Sequence, residues 1–259
     1  MVSTKARLAL RLIPLTLACA GFLHTASPAL AADEAISDAE RTKIETVVKE
    51  YLAKNPGIIM ESLQKYQEQQ RADMDKQFTD KFAGVKADIL KAGHPTVGPA
   101  DADLTIIEFY DYNCGYCKKA FADVSKLIDE DKKLRFVFIE MPILSETSIE
   151  ASRWALAADK QGKFYEFHTA LMKFTGQKDK KLFTKIATDL KMDVAKAEEY
   201  ANSKETLEII DKNLTLARDL GINGTPGFIF EDQLTPGYMG YDGMKEAISQ
   251  IRSKKTGAN

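Results

Sequence analysis

The sequence predicts an α/β fold preceded by a separate helical segment, and three observations lead to this prediction. Residues 37–92 contain few strand-forming residues and follow helical patterns almost throughout. Residues 93–99, GHPTVGP, are dense in glycine and proline, which interrupt helices. Beyond residue 99, apolar strand-like runs alternate with helical patterns, as in α/β proteins. We therefore expect a helical region at 32–92, a linker at 93–99 and an α/β domain at 100–254.

The N-terminal residues are typical of a cleaved export signal. Three basic residues precede a mostly apolar run at 12–23, and small residues at 29 and 31 resemble an A-x-A cleavage site. The apolar run is shorter than the about 20 residues that span a bilayer. A lipoprotein acylated on Cys19 is the weaker alternative. We expect residues 1–31 to be removed and the protein to be periplasmic.

Removal of the signal would leave Cys114 and Cys117 as the cysteines of the mature chain. A disulfide between such close residues closes a very small loop and constrains the unfolded chain little. In an oxidising compartment, an isolated close pair therefore favours reversible redox chemistry over a structural role.

The charge of the mature chain argues against nucleic-acid binding. Without the three basic residues of the signal, 33 of the 36 Lys and Arg remain against 38 Asp and Glu. Proteins that bind nucleic acid need a basic surface to contact phosphates. We expect no nucleic-acid partner.

The helical region has the pattern of two amphipathic helices. Ser37 and Glu40 form a candidate capping box, and the turn residues 55–57, NPG, separate the first helix from a second at about 58–91. This region has no sheet of its own to pack against, and its apolar stripe favours a protein partner. We expect residues 33–92 to form a stalk that makes a homodimer or homotrimer, with the polar residues 67–73 as a bendable connector. The alternative is that the helices fold back on the α/β domain.

The second region begins with a strand–helix–strand pattern that predicts a parallel βαβ unit. The motif Cys114-Gly115-Tyr116-Cys117 lies between the first strand and the helix. The predicted elements are strands at 104–109, 134–139 and 225–230, helices at 118–129 and 243–253, and a long helical stretch at 148–220. Residues 255–259 are expected to form a flexible tail.

The position of the motif gives its two cysteines different properties. Cys114 lies at the start of the helix, where free backbone N–H groups and the helix dipole favour its thiolate. Its pKa should therefore lie below the usual value of about 8.5. Cys117 lies one turn further into the helix and should be more buried. We expect Cys114 to attack a substrate disulfide and Cys117 to resolve the mixed disulfide.

Two further positions fit this chemistry. Glu108 lies on the predicted buried strand and could exchange a proton with Cys117 through a water molecule; the alternative is a buried acid paired with a lysine. Thr225-Pro226 lies at the start of a strand, where a cis peptide would bring the Thr225 backbone close to the sulfurs and present a strand edge to a substrate peptide.

Residues 109–117, the helical stretch, and residues 221–226, GINGTP, together resemble a DsbA-like member of the thioredoxin superfamily. The resemblance implies a thioredoxin fold with a helical domain inserted at about 145–220. It also implies that Cys114 is the nucleophile and Cys117 the resolving cysteine of a redox-active disulfide, with Glu108 the buried acid and Pro226 the cis-proline. The helical extension resembles, in architecture, the suppressor-of-copper-sensitivity C (ScsC-like) proteins.

The residues between the cysteines distinguish oxidases from isomerases within this family. Gly115-Tyr116 resembles the DsbC-type isomerases, as does Thr225 before Pro226, whereas DsbA oxidases carry Pro-His between their cysteines. Tyrosine supplies no positive charge, so the pKa of Cys114 should lie above the value of about 3.5 found for the DsbA cysteine. The disulfide should also be less oxidising than that of DsbA, whose reduction potential is about −120 mV. We expect Gly115, Tyr116, Thr225 and Pro226 to contact the substrate.

These features favour a disulfide isomerase or reductase that acts on misoxidised exported proteins. The resemblance implies that a DsbD-like membrane reductase restores its thiols. A dithiol oxidase is one alternative, and Cu(I) binding by the two thiolates is another. Zinc is disfavoured because a structural site needs four ligands, and we expect neither a bound metal nor a cofactor. Tyr110 and Tyr112 flank the motif and either line the substrate surface or pack inside, and His168 is expected to be structural.

Overall fold

The computed structural model describes residues 36–257, so the predicted signal at 1–31 and Cys19 lie outside the described residues. The strands are β1 (Thr96–Val97), β2 (Leu104–Tyr110), β3 (Leu134–Glu140), β4 (Gly227–Phe230) and β5 (Gln233–Pro236). The helices are α1 (Asp38–Lys54), α2 (Gly57–Lys91), α3 (Gly115–Glu130), α4 (Glu146–Lys160), α5 (Phe164–Lys173), α6 (Lys180–Asp189), α7 (Val194–Ala201), α8 (Lys204–Asp219) and α9 (Gly240–Thr256).

The five strands form one mixed sheet in the order β1-β3-β2-β4-β5. β2 and β3 are parallel and joined through α3, which confirms the predicted βαβ unit. β4 runs antiparallel to β2, and β5 antiparallel to β4. Nearly every residue of β2 and β3 is buried, because helices cover both faces of the sheet. The sequence does not predict β5, whose half-exposed residues lack an apolar run.

Five helices, α4 to α8, lie between β3 and β4, where the sequence predicts a long helical stretch. Polar side chains begin four of them: Ser145, Asp179, Asp193 and Ser203 each accept a backbone N–H from the first turn. Trp154 of α4 packs against Phe183 of α6, with ring centroids 5.9 Å apart. The sheet and the inserted helices thus share a continuous apolar core.

The chain divides into two compact units, the first ending at Glu61 and the second beginning at Ser62. In the first unit, α1 has the predicted capping box, in which Ser37 and Glu40 bond each other's backbone N–H groups. α1 ends at the predicted break before Pro56 and has no buried residue. Its large apolar side chains are exposed: Ile44, Val47, Val48 and Tyr51.

In the second unit, the end of α2 packs on the sheet, so this part of the helical region follows the alternative prediction of folding back on the α/β domain. Phe78, Phe82 and Ile89 are buried against β2 and β3 in a second apolar cluster. The polar residues 67–73 are helical, so α2 is continuous where a bendable connector is predicted. Residues 78–91 therefore belong to the sheet domain, and the exposed apolar side chains lie before them.

Two other predicted boundaries are corrected. Residues 93–99 are not only a linker, because Thr96 and Val97 pair with Val137 and Phe136 at the sheet edge. Gly98 (φ +108°) is required beside them, since a Cβ would lie 2.2 Å from the Leu134 carbonyl oxygen.

The tail predicted at 255–259 is helical as far as Thr256. Lys255 Nζ donates to the Asp103 carbonyl at 2.5 Å and to the Glu231 carboxylate at 2.7 Å. Gly257 (φ 67°) then ends α9 in the left-handed conformation. Of the helices in the described part of the chain, none is long and apolar enough to cross a membrane.

Replacing Phe82 by alanine tests the packing of α2 on the sheet. Phe82 is fully buried and stacks on Phe78 with ring centroids 5.4 Å apart. We expect Phe82→Ala to lower the free energy of unfolding by about 3–5 kcal/mol, measured by urea denaturation. The matched control is Met74→Ala on the exposed part of the same helix, which should change it by less than about 0.5 kcal/mol. Equal effects of the two substitutions would contradict this packing.

Candidate redox site

Cys114 lies where the sequence predicts, between β2 and the first turn of α3. It is the N-cap residue of α3, with φ −73° and ψ 119°, and its side chain accepts the backbone N–H of Cys117 at 3.2 Å. A sulfur in this position replaces the oxygen of an ordinary N-cap side chain and meets the positive end of the helix dipole. Both cysteines are present as free thiols.

The surroundings of Cys114 favour its thiolate. The hydrogen bond from the Cys117 side chain lowers the pKa of Cys114 to about 6, against the opposing effect of burial. Hydrogen bonds from the Thr225 side chain and from the backbone at Tyr116 and Cys117 add to this lowering. The residue is only 6% exposed.

Cys117 has the opposite character. It is fully buried on the inner side of α3. Burial raises the pKa of its thiol far above the usual value, and its hydrogen bond to Cys114 raises it further. The two cysteines therefore differ in acidity and exposure in the direction that the sequence predicts.

Thr225 and Pro226 lie beside the nucleophile candidate. The peptide bond between them is cis, and the Cys114 thiol donates a hydrogen bond to the Thr225 carbonyl oxygen at 3.2 Å. The next residue, Gly227, is a glycine because a Cβ at this position would lie 2.8 Å from Ile222 Cγ2. The structure thus brings Thr225 and Cys114 together from positions 111 residues apart in the sequence.

Glu108 lies in the middle of β2, opposite Phe138 of β3 and Phe228 of β4. It is 2% exposed, and burial raises its pKa to about 8, with a further contribution from the charge of Cys114. Within residues 36–257, no lysine pairs with its carboxyl group. A buried acid with this pKa can exchange a proton near neutral pH.

Gly115 and Tyr116, the residues between the cysteines, are both exposed. Tyr116 is 63% exposed, and Lys119 Nζ lies 5.2 Å from its ring centroid. Lys118, also in the first turn of α3, donates to the Phe174 carbonyl oxygen at 2.6 Å. The surface beside Cys114 is thus aromatic and positively charged.

Asp111 and Asn113, which the sequence interpretation missed, hold the loop before Cys114 in place. The buried Asp111 carboxylate accepts four hydrogen bonds, and its backbone oxygen accepts the N–H of Cys114 at 3.1 Å. The four donors are the N–H of Asn113 (2.7 Å), the hydroxyl of Ser148 (2.8 Å) and the N–H groups of Ile143 (2.9 Å) and Leu144 (3.0 Å). The sequence signal that could have indicated this network is an acidic residue three positions before the motif.

Asn113 extends this network to the inserted helices. Its amide Nδ2 donates to Ser145, Thr147 and Ser148 at the start of α4, at 2.9–3.0 Å. Its Oδ1 accepts a hydrogen bond from Lys178 Nζ at 3.0 Å, and Lys178 lies in the segment between α5 and α6. Burial, together with the nearby charge of Lys118, lowers the pKa of Lys178 to about 8. The loop before Cys114 is thereby bonded to two segments of the insertion.

Tyr110 and Tyr112 are both fully buried, so neither lines the substrate surface. Their hydroxyls donate to the carboxylate of Glu140, which the sequence interpretation also missed, and Ser152 donates to its other oxygen at 2.6 Å. Burial raises the pKa of Glu140 to about 8. His168 completes this buried polar cluster, with Nδ1 3.0 Å from the Tyr112 hydroxyl, and burial lowers its pKa to about 3.

Curated proteins similar to this chain include a disulfide-bond protein and several transporters. Disulfide bond formation protein D of Bacillus subtilis is 26% identical over 175 residues, which are 61% of this chain and 77% of that protein. Na(+)/H(+) antiporter NhaA 1 of Salinispora arenicola is 25% identical over 154 residues, or 59% of this chain. The chain spans only 24% of that antiporter, about a quarter of its length.

Solved structures agree with the fold. A thioredoxin-like oxidoreductase from Silicibacter pomeroyi is 38% identical, with a TM-score of 0.59 over 62% of this chain and 93% of that chain. ScsC of Proteus mirabilis in a transitional conformation is 25% identical, with a TM-score of 0.62 over 84% of this chain and 99% of that chain. The second match also includes the helical region.

Family models match both parts of the chain. The DSBA-like thioredoxin domain matches residues 105–249, which is more than half of the 259 residues. The copper resistance protein ScsC N-terminal domain matches residues 40–73, in α1 and the first half of α2. With its N-capping cysteine, buried partner cysteine and cis-proline, the chain belongs to the DsbA-like thioredoxin-domain family of thiol–disulfide oxidoreductases and carries an ScsC N-terminal domain.

Proposed function

We propose that the protein is a periplasmic disulfide isomerase or reductase that acts on misoxidised exported proteins. The observation that carries this proposal is the pKa of about 6 for Cys114. At neutral pH such a cysteine is mostly thiolate, yet it remains a better nucleophile than a more acidic cysteine. An isomerase needs both properties, because it must attack wrong disulfides repeatedly.

The two cysteines divide the reaction. The Cys114 thiolate attacks one sulfur of a substrate disulfide, forms a mixed disulfide and releases the other substrate sulfur as a thiolate. In the isomerase reaction, a substrate thiolate then displaces Cys114, which leaves the protein reduced. In the reductase reaction, Cys117 displaces the substrate, and its proton passes to Glu108. The Cys114–Cys117 disulfide that results needs an external reductant, for which we propose a DsbD-like membrane protein.

The pKa of Cys114 supports an isomerase or reductase over an oxidase. A DsbA oxidase is strongly oxidising because its reduced form is stabilised by a cysteine with a pKa of about 3.5. Here Tyr116 replaces the histidine of the oxidase motif, and the thiolate depends on hydrogen bonds from uncharged groups. The Cys114 thiolate is therefore stabilised less than the thiolate of a DsbA oxidase, so the Cys114–Cys117 disulfide should be less oxidising.

The substrate would bind across Tyr116 and the edge at Thr225-Pro226. Cys114 already bonds the Thr225 carbonyl oxygen, so a substrate cysteine that replaces this contact reaches the sulfur directly. Gly115 is exposed beside it and leaves the approach to Cys114 open. This arrangement supports the predicted substrate contacts of Gly115, Tyr116 and Thr225, whereas Pro226 is buried.

A homo-oligomer formed by the helical region would suit an isomerase. Exposed apolar side chains occur on α1 and on the first half of α2, where the ScsC N-terminal domain matches. Burying them between subunits would stabilise a dimer or trimer. Subunits that face one another would also shield the dithiols from an oxidase.

Refolding of scrambled ribonuclease by the reduced protein tests the proposed activity. We expect the protein to restore ribonuclease activity faster than the monothiol variant Cys114→Ser, which lacks the attacking thiol. No gain over this variant would contradict an isomerase. Thiol trapping in the periplasm distinguishes an isomerase or reductase from the oxidase alternative. The Cys114–Cys117 pair of an oxidase would be found mostly as the disulfide. Titration with Cu(I), compared with Cys114→Ser, tests the copper alternative.

Substitution of Cys117 tests the origin of the Cys114 acidity. Because the hydrogen bond from Cys117 is the largest cause of the lowered pKa, Cys117→Ala should raise the pKa of Cys114 from about 6 toward the free value of about 8.5. The matched control Cys117→Ser keeps a donor and should raise it less. The measurement is the pH dependence of Cys114 alkylation by iodoacetamide. An unchanged pKa in Cys117→Ala would contradict this assignment.

Glu108→Gln tests the buried acid through both stability and rate. The folded-state pKa of about 8 lies above the unfolded value of about 4.3, so this carboxyl group reduces stability as pH rises between the two values. We expect the reduced Glu108→Gln protein to gain stability over wild type across this range in urea denaturation. Resolution of a mixed disulfide by Cys117 should also slow. A stability difference independent of pH would contradict the raised pKa.

A further inference from the structure

Two lysine side chains lie together at the edge of the redox loop, residues 111–117. Lys118 is half-buried in the first turn of α3, and its Nζ donates to the Phe174 carbonyl oxygen at 2.6 Å. Lys178 is 3% exposed, and its Nζ donates to Oδ1 of Asn113 at 3.0 Å. Burial lowers the pKa of Lys178, and the charge of the adjacent Lys118 and a side-chain contact with it lower this pKa further.

Neither ammonium group is bonded to a carboxylate. Nowhere in the range 36–257 does an acidic side chain form an ion pair with Lys118 or Lys178, which donate to uncharged oxygens instead. The charge of Asp111 favours a charged Lys178, but the Asp111 carboxylate already accepts four hydrogen bonds from other groups. Asp179, the next residue after Lys178, caps α6. Two positive charges thus meet without a carboxylate bonded to either one.

This arrangement differs from that of another half-buried lysine in the sheet domain. Lys86 Nζ lies 3.1 Å from the Glu231 carboxylate, so its charge is paired. The bonds of Lys118 and Lys178 could be made by neutral donors, without the free-energy cost of holding a buried charge beside a like charge. Hydrogen bonding alone therefore does not account for two ammonium groups at this place, whereas an anion bound to both would.

The position of the two lysines relates such an anion to the substrate. Lys178 contacts Asn113, the residue directly before Cys114, and Lys118 directly follows Cys117 in the chain. An extended chain advances about 3.3–3.6 Å per residue, so the residue next to a substrate cysteine reaches the edge of the loop. Attack on the substrate also removes the negative charge of the Cys114 thiolate, which leaves the two positive charges less compensated while the substrate is bound.

We propose that Lys118 and Lys178 form an anion subsite, which binds a carboxylate carried by the residue next to the attacked cysteine of a polypeptide substrate. The proposal rests on Cys114 as the nucleophile of the proposed function and adds a substrate class to it, namely disulfides flanked by an acidic residue. An anion from solvent meets the half-buried Lys118 first, and the buried Lys178 adds a second positive charge beside it. Such charge complementarity speeds encounter and selects among substrates.

The test uses mixed disulfides of short peptides with 2-mercaptoethanol. Two peptides each carry one cysteine and differ only at the next residue, which is aspartate in one and asparagine in the other. The Cys114 thiolate attacks the peptide sulfur, bonds to it and expels 2-mercaptoethanol as a thiolate. Cys117 then displaces the peptide thiol. The substrate disulfide gains two electrons and leaves as two thiols, and the protein loses them and becomes the Cys114–Cys117 disulfide.

We expect wild type at low ionic strength to reduce the aspartate peptide with a kcat/KM about fivefold above that of the asparagine peptide, a size typical of one ion pair at a half-buried site. Each value is divided by the rate of the same peptide with dithiothreitol, which removes differences in intrinsic reactivity. The preference should nearly disappear in about 0.5 M NaCl, because salt screens the charges.

Substitution of either lysine tests the assignment to this pair. Lys118→Met and Lys178→Met each remove one charge and keep most of the aliphatic chain, so each should lose most of the aspartate preference. The matched control is Lys126→Met at an exposed position about two turns further along α3, and it should keep the preference. The readout is the ratio of the two peptides, which a uniform loss of activity does not change. Lys118→Met keeps the test valid if Lys178→Met fails to fold.

Equal rates for the two peptides with wild type, a preference that persists in high salt, or an unchanged preference in Lys118→Met would overturn the anion subsite. A third probe, the asparagine peptide bonded to glutathione, distinguishes the source of the carboxylate. If this probe alone reacts faster, the recognised carboxylate belongs to the small thiol, which would overturn the polypeptide substrate class.

The subsite and the proposed function can fail separately. The peptide comparison does not bear on isomerase activity, because every probe needs only thiol–disulfide exchange. Failure to refold scrambled ribonuclease would count against the isomerase and leave the peptide comparison intact. Failure to reduce any of the probes would count against Cys114 as the nucleophile, and with it against both proposals.

Discussion

The hydrogen bonds at the sulfur of Cys114 are the interaction on which the site depends. The sulfur takes the N-cap position of α3, so the backbone N–H and the thiol of Cys117 both point at it. The same bonds that favour the Cys114 thiolate oppose ionisation of Cys117, whose pKa is raised. One local arrangement therefore produces an attacking sulfur and a resolving sulfur from two chemically identical side chains.

The sheet and the insertion supply what this arrangement needs. β2 carries Glu108 and ends in the loop that leads to Cys114. The segment that leads into β4 brings the Thr225 carbonyl oxygen to 3.2 Å from the sulfur of Cys114. Asp111 and Asn113 then bond this loop to the segment before α4 and to Lys178. The inserted helices thus form part of the frame that holds the redox loop, as well as covering the sheet.

The sequence predicted those parts of the fold and site that depend on local pattern. The CGYC spacing and the apolar strands were sufficient to predict the βαβ unit and the pair of cysteines, and the family resemblance implied the cis-proline. The network around Asp111 could not be predicted, because three of its four donors lie 32 to 37 residues away and two of these three are backbone groups. The buried cluster at Glu140 was missed for the same reason, since its partners come from β2 and α4.

The reduction potential of the Cys114–Cys117 disulfide, measured at equilibrium with glutathione, tests the central claim most directly. A thiolate stabilised by hydrogen bonds from uncharged groups should give a potential clearly more negative than the about −120 mV of a DsbA oxidase. Such a value would agree with a protein that works in its reduced form. A potential at or above about −120 mV would show a strongly stabilised dithiol and contradict the proposed isomerase or reductase.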